Sequence, residues 1–106
     1  MVHFIETPVF TRLVAGALGP EEYRALQLAL LLRPEAGAVI AGTHGLRKLR
    51  WAPAGRGKRG GVRVIYYWAP EPLTIYLLYI YAKNEQGDLT PAQAKVLARL
   101  VREEFG

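Results

Sequence analysis

The sequence predicts an α+β domain in which two N-terminal helices and a C-terminal helix pack on a small antiparallel β-sheet. Three observations lead there. Apolar residues recur at helical spacing before residue 33 and again after residue 90. Between them lie three runs rich in β-branched and aromatic residues, LRKLRW (46–51), VRVIYYW (62–68) and LTIYLLYIYA (73–82). The links joining those runs span about four to ten residues, which suits antiparallel hairpins, since parallel neighbours need a crossover of a dozen or more.

Each element follows from local chemistry. VHFIE (2–6) is expected as a short first strand. Thr7 before Pro8 is a helix start, a capping hydroxyl ahead of a proline in the first turn, and the helix should run to about Ala17. Gly19, Pro20, Glu21 and Glu22 open a second helix, with acids complementing its dipole. Tyr23, Leu26, Ala29 and Leu30 set its apolar stripe, Leu31 and Leu32 widen it, and heavy burial is expected; Arg33-Pro34 ends it. Ala69-Pro70-Glu71-Pro72 is read as the turn between the last two strands. DLTPAQ then starts the last helix, with Thr90 as N-cap, Pro91 at the first position and Gln93 as the reciprocal partner of a capping box. Val96, Leu97, Leu100 and Val101 are its expected buried stripe, with Lys95, Arg99 and Arg102 on the other side.

Length and composition narrow the classes of function. The 106 residues fit one domain, 1–106, and are too few for two cores. A composition 51% hydrophobic and 22% charged is that of a folded globular chain. Cysteine is absent, which excludes disulfides and thiolate metal sites and makes a reducing cytoplasm the simplest compartment. The start, MVHFIET, has no basic segment ahead of a long apolar run, so no signal peptide is read, and no apolar stretch approaches a membrane span. The formal net charge is +5, and its distribution matters more than its sum. Arg47, Lys48, Arg50, Arg56, Lys58, Arg59 and Arg63, half of the 14 Lys and Arg, fall in residues 36–70, a stretch without Asp or Glu. Such a block attracts polyanions.

GRGKRGG (55–61) sits at the centre of that block. Gly55, Gly57 and Gly60 satisfy G-x-G-x-x-G, but a strand follows where the dinucleotide motif needs a helix. The Walker pattern fails because Arg59 follows Lys58 and Ala52 stands where glycine is required. Gly55 to Val62 also matches the kinase glycine loop, yet V-A-I-K, H-R-D and D-F-G are all absent. The segment is better read as a hairpin connection whose glycines let the backbone and three cations come close to a phosphate chain.

Strand alternation groups the flanking cations. Lys48 and Arg50 share a face of one strand, Arg63, Ile65 and Tyr67 share a face of the next, and Tyr79, Tyr81 and Lys83 lie together at the end of the third. Basic groups interleaved with aromatics suit single-stranded nucleic acid, whose phosphates need cations and whose bases need flat faces. The competing reading of Trp51, Tyr66, Tyr67, Trp68, Tyr76, Tyr79 and Tyr81 is that of sheet residues with buried rings, and it is favoured for most of them. Arg63, a charge inside an otherwise apolar strand, needs another reason.

The run GLRKLRWAPAGRGKRGGVRVIYYW followed by YLLYIYAKNEQGDLTPAQ resembles the HigB-like branch of the RelE superfamily of type II toxins, over about residues 4–101. The resemblance implies a RelE-like fold and a ribosome-dependent mRNA endonuclease. Its implied partners are the ribosome, mRNA and a cognate antitoxin encoded beside it, of a helix-turn-helix, HigA-like kind. In such toxins an arginine of the middle strand and a lysine closing the next belong to the active site; they correspond here to Arg63 and Lys83. Basic residues of the preceding strand and loop line the same face, which brings in Arg50, Arg56 and Lys58; Lys48 and Arg59, from the same basic block, join Arg50 and Arg56 as candidate RNA contacts. Other branches place an arginine after the strand-closing lysine and a tyrosine a few residues on. Here Asn84 and EQGDLT follow, and Tyr81 is the candidate in that tyrosine's place.

The implied chemistry is consistent with these residue types. Cleavage through the 2′-hydroxyl requires removing its proton, stabilising charge on the phosphorane and protonating the departing 5′-oxygen. The sequence shows no carboxylate cluster and no Cys/His set, so no metal or other cofactor is expected. Arginines can clamp the phosphate, and a lysine crowded by cations can act as base. Lys83 is the first candidate and Lys58 the second, with base and charge stabiliser left open between them. His44, in GTHGLRK, is read as an incidental loop residue. The alternative function is a basic module that binds RNA or a partner without cutting.

Overall fold

The computed structural model describes residues 3–52 and 61–105. In chain order the elements are β1 (His3–Glu6), α1 (Pro8–Ala17), α2 (Pro20–Leu32), β2 (Ala38–Val39), β3 (Arg47–Trp51), β4 (Val62–Pro70), β5 (Leu73–Ala82) and α3 (Pro91–Phe105). One five-stranded sheet runs in the order β1-β5-β4-β3-β2. The α+β class, the three helices and the three long strands are where the residue pattern puts them.

The sheet is mixed, which corrects the antiparallel expectation. Strands β2 to β5 pair antiparallel with their sequence neighbours, but β1 pairs parallel with β5, His3 opposite Thr74 and Glu6 opposite Leu77. Hairpin reasoning from short links applies only to strands that follow one another. After β1 the chain leaves into α1, so β1 is free to take the open edge of β5. Strand β2 is too short, at two residues, to leave a periodic signal.

The helix caps form as the sequence dictates. Thr7 Oγ1 accepts from the Phe10 N–H at 3.0 Å and donates to the Leu78 carbonyl at 2.8 Å, so one buried hydroxyl both caps α1 and fastens it to β5. The Gly19 N–H donates to Glu22 at the start of α2. At α3 the capping box is complete: Gln93 N–H donates to Thr90 Oγ1 at 3.1 Å, and Thr90 N–H donates to Gln93 Oε1 at 2.9 Å.

Two cores sandwich the sheet. On one side α1 and α2 cover Val62, Val64, Tyr66, Ile75, Leu77 and Ile80 with Phe10, Val14, Leu26 and Leu30. On the other, α3 covers Leu46, Ile65, Tyr76 and Leu78 with Leu97, Ala98 and Val101. Tyr66 is wholly buried and pins the 34–37 segment, donating to the Pro34 carbonyl at 2.6 Å and accepting from the Gly37 N–H at 2.8 Å. Only glycine fits at 37, because a Cβ there would lie 2.8 Å from the Tyr66 ring.

Three expectations about packing need correction. Helix α2 is not heavily buried: only Leu26 and Leu30 are, while Leu28, Leu31 and Leu32 are 54%, 42% and 73% exposed. Apolar residues all round a helix cannot be covered when only one of its sides meets the sheet. On α3 the buried stripe is Leu97, Ala98 and Val101, with Val96 exposed. Phe105 accounts for the rotation, because its ring packs against Tyr67 and Tyr76 at 5.2 and 5.6 Å between centroids and carries the stripe toward Ala98. Pro70 belongs to β4, so the turn into β5 is confined to Glu71 and Pro72.

Candidate nucleic-acid site

The sheet register builds a cationic row across three strands. Arg50 on β3 faces Arg63 on β4, and Arg63 faces Tyr81 on β5. The adjoining row on the same face is Lys48, Ile65 and Tyr79. One step beyond the first row, the Lys83 N–H donates to the Gly61 carbonyl at 3.2 Å. That bond continues the ladder and gives Lys83 the parity of Tyr81 and Arg63, the face that α3 covers further along. Lys48, Arg50, Arg63, Tyr81 and Lys83 are thus brought to one end of one face. Arg56, Lys58 and Arg59 lie outside the described residues.

Arg50 is exposed and Arg63 half-buried, and they are directly opposed like charges. Such a pair opposes folding unless an anion sits between or above it. Among the described residues, the Arg63 guanidinium's sole hydrogen bond is a long one, 3.4 Å, to the Val62 carbonyl. It lies back over Gly61, where a Cβ would come within 3.3 Å of its Nη1, so the glycine gives the guanidinium its room. Arg47 is different. Its alternation sends it to the other face, where it donates to the Gly37 and Glu35 carbonyls at 2.8 and 3.2 Å and lies over the Trp68 ring.

One acid answers this cationic end. Lys48 Nζ donates to Asp88 Oδ1 at 2.9 Å, and the Leu89 N–H donates to the same oxygen at 2.8 Å. The Lys48 bond first, and then the Leu89 bond, hold the Asp88 carboxyl below its ordinary range. Sequence reasoning assigns Asp88 to the loop and helix entry and misses its bond to Lys48. Forty residues separate the two, and only the β3-β4-β5 register brings them together.

The Asp88 charge also acts on Tyr81. The Tyr81 side chain is buried, and its hydroxyl forms no hydrogen bond among the described residues. The nearby Leu89 N–H is donated to Asp88 instead. Burial first, and then the Asp88 charge, push the Tyr81 hydroxyl up, while Arg63 pulls it the other way. The 86–89 segment beside it is tied to α3 by Gln86, whose amide donates to Gln93 Oε1 at 2.9 Å and to the Asp88 carbonyl at 2.8 Å.

The aromatics do not form a stacking surface. Trp51, Tyr67, Trp68 and Tyr79 are half-buried, and Tyr66, Tyr76 and Tyr81 are buried. What this face offers a ligand is therefore charge and hydrogen bonding. No group of three His, Cys, Asp or Glu among the described residues is arranged to hold a metal ion. No helix among them is long and apolar enough to cross a membrane. No protein-family model matches the chain.

Proposed function

We propose that this protein is the toxin of a type II toxin-antitoxin module, a RelE-like, HigB-like endoribonuclease that cleaves mRNA on the ribosome through the 2′-hydroxyl. The observation that carries the reading is the row Arg50–Arg63–Tyr81 with Lys83 one ladder step beyond. A phosphodiester lying on that row would meet two guanidiniums for its oxygens and an ammonium beside them. Attack of the 2′-oxygen on phosphorus would give a 2′,3′-cyclic phosphate and release the 5′-oxygen, with Lys83 or Lys58 taking or returning the proton. The antitoxin needs a separate seat, and the groove between the start of α1, β5 and α3, about 540 Å³ and lined by Val9, Leu78, Val96, Leu97 and Leu100, offers an apolar one.

The test is an assay of purified protein with translating ribosomes, mapping mRNA ends. Cleavage that disappears in Arg63→Ala and Lys83→Ala, with growth arrest abolished and antitoxin binding kept, supports the nuclease. The burial of Tyr81 favours the second reading, a basic module that grips RNA or a partner without cutting. Intact transcripts in that assay, with retained RNA affinity, would select it.

A further inference from the structure

We propose that the cleft between the 41–44 turn and α3 is a second phosphate site, which takes the RNA backbone some nucleotides away from the Arg50–Arg63 row. The inference rests on the nucleic-acid reading above and adds the path of the strand. The cleft is about 470 Å³ and is lined by His44, Lys95 and Arg102 together with Gly42 and Thr43 of the turn. No acid lines it. The side chains of His44, Lys95 and Arg102 make no hydrogen bond or ion pair with any described residue. Glu103 and Glu104, the acids at the end of α3, are exposed and do not line the cleft.

The turn is built to hold its shape. Thr43 is buried, and its hydroxyl donates to the Ile40 carbonyl at 2.6 Å and accepts from the Leu46 N–H at 3.2 Å. Leu46 is fully buried in the same core as Ala98 and Val101, which fastens the turn against α3. His44 is held at φ 61°, a left-handed conformation uncommon for residues other than glycine. The backbone N–H groups of Gly42 and His44, which line the cleft, have no hydrogen-bond acceptor among the described residues. Cationic side chains and free backbone donors around one hollow make an anion receptor. Lys95 and Arg102 lie seven residues apart on a helix side that also carries Arg99, a like-charge stripe that weakens the helix unless it is used. Lys48 follows the turn by four residues from His44 and lies on the face of Arg50 and Arg63.

The experiment uses uncleavable 2′-O-methyl oligoribonucleotides of three and nine nucleotides, with affinity measured against salt for the full chain. In Lys95→Gln/Arg102→Gln the nonamer should bind about tenfold more weakly, with its log-log salt slope reduced by about 0.7 for each phosphate that the variant no longer neutralises. The trimer should be unchanged. Unaltered nonamer affinity and slope in that variant, while Arg50→Gln/Arg63→Gln weakens both oligonucleotides, would overturn the cleft and leave the first site standing. Should neither oligonucleotide bind the unmodified protein, the nucleic-acid reading falls. Amide NMR with inorganic pyrophosphate then decides the cleft by itself: saturable shifts at residues 42–45 that vanish in the double variant support it, and their absence refutes it.

Discussion

Replacing Arg63 by glutamine should stabilise the protein while weakening the RNA binding proposed for it. The register puts Arg63 directly opposite Arg50, and no acid occurs between residues 36 and 70 to compensate them. Opposed side chains have Cβ atoms about 4.5–5.5 Å apart. With the guanidiniums splayed to about 6 Å in water, Coulomb repulsion is about 0.7 kcal/mol. At 0.15 M salt, with a Debye length of about 8 Å, it falls to about 0.3 kcal/mol. The Arg63 bond removed by the exchange is a long one, at 3.4 Å. For a domain of this size the net gain is about 3–5 °C in Tm at low salt and about 1–2 °C at physiological salt. Arg50→Gln should behave the same way, and the double variant should gain no more than either single change, because the first already removes the repulsion. Thermal melts at 10 and 300 mM salt, paired with binding of a 2′-O-methyl oligonucleotide, check both halves. A Tm lowered by more than about 4 °C at both salt concentrations would show that Arg63 serves the fold, and the case for a cationic site would go with it.

Thr7→Val should cost about 2–3 kcal/mol, because it removes the α1 cap and strips the buried Leu78 carbonyl of its hydroxyl partner; chemical denaturation measures it. Tyr66→Phe should cost a similar amount, leaving the Gly37 N–H and the Pro34 carbonyl unpaired, without weakening RNA binding, since Tyr66 points to the α1–α2 side. Asp88→Asn should raise RNA affinity a few-fold at low salt, by freeing Lys48 and removing a negative charge from the cationic end, as a binding titration would show. The same change should flatten the acid limb of the stability curve. The Asp88 carboxyl is lowered below its ordinary 3.8 in the fold, so its contribution is full above that value and is lost as pH falls through the folded pKa. With Asp88 69% exposed, the contribution is at most about 1 kcal/mol, and it should shrink further in salt.

Legibility in the sequence divides along physical lines. Thr7-Pro8, Gly19-Pro20 and DLTPAQ announce helix starts because capping is local chemistry, decided within four residues. Alternation along single strands is equally readable, and it correctly groups Lys48 with Arg50 and Arg63 with Ile65. What one strand cannot tell is its partner. The parallel pairing of β1 depends on which edge stays open after β2 to β5 have paired, and the Lys48–Asp88 bond depends on two registers acting in series. The rotation of α3 is hidden because Val96 and Ala98 flank Leu97 equally well, and only the distant Phe105 packing breaks the tie. For the same reason, Tyr81 looks available for chemistry in the sequence. Leu89 packs on its cluster from a loop, 83–90, without apolar periodicity to signal packing.

Under the proposed nuclease reading, the burial of Tyr81 bears directly on catalysis. The Tyr81 hydroxyl is buried, and the Leu89 N–H beside it is given to Asp88. Among the described residues, the ion pair joining the 86–89 segment to the sheet is Lys48–Asp88, and pairs so exposed contribute about 0.2–1 kcal/mol. A phosphate drawn in by Arg50 and Arg63 competes with Asp88 for Lys48 directly. Once Asp88 lets go, the Leu89 N–H loses its fixed acceptor and the Tyr81 hydroxyl can gain either that donor or the RNA itself. Binding would therefore expose the tyrosine at small cost, and the charge that attracts the substrate would also complete the site. Deleting Asp88 would uncouple the two events, so that Tyr81 becomes accessible to solvent before any RNA arrives.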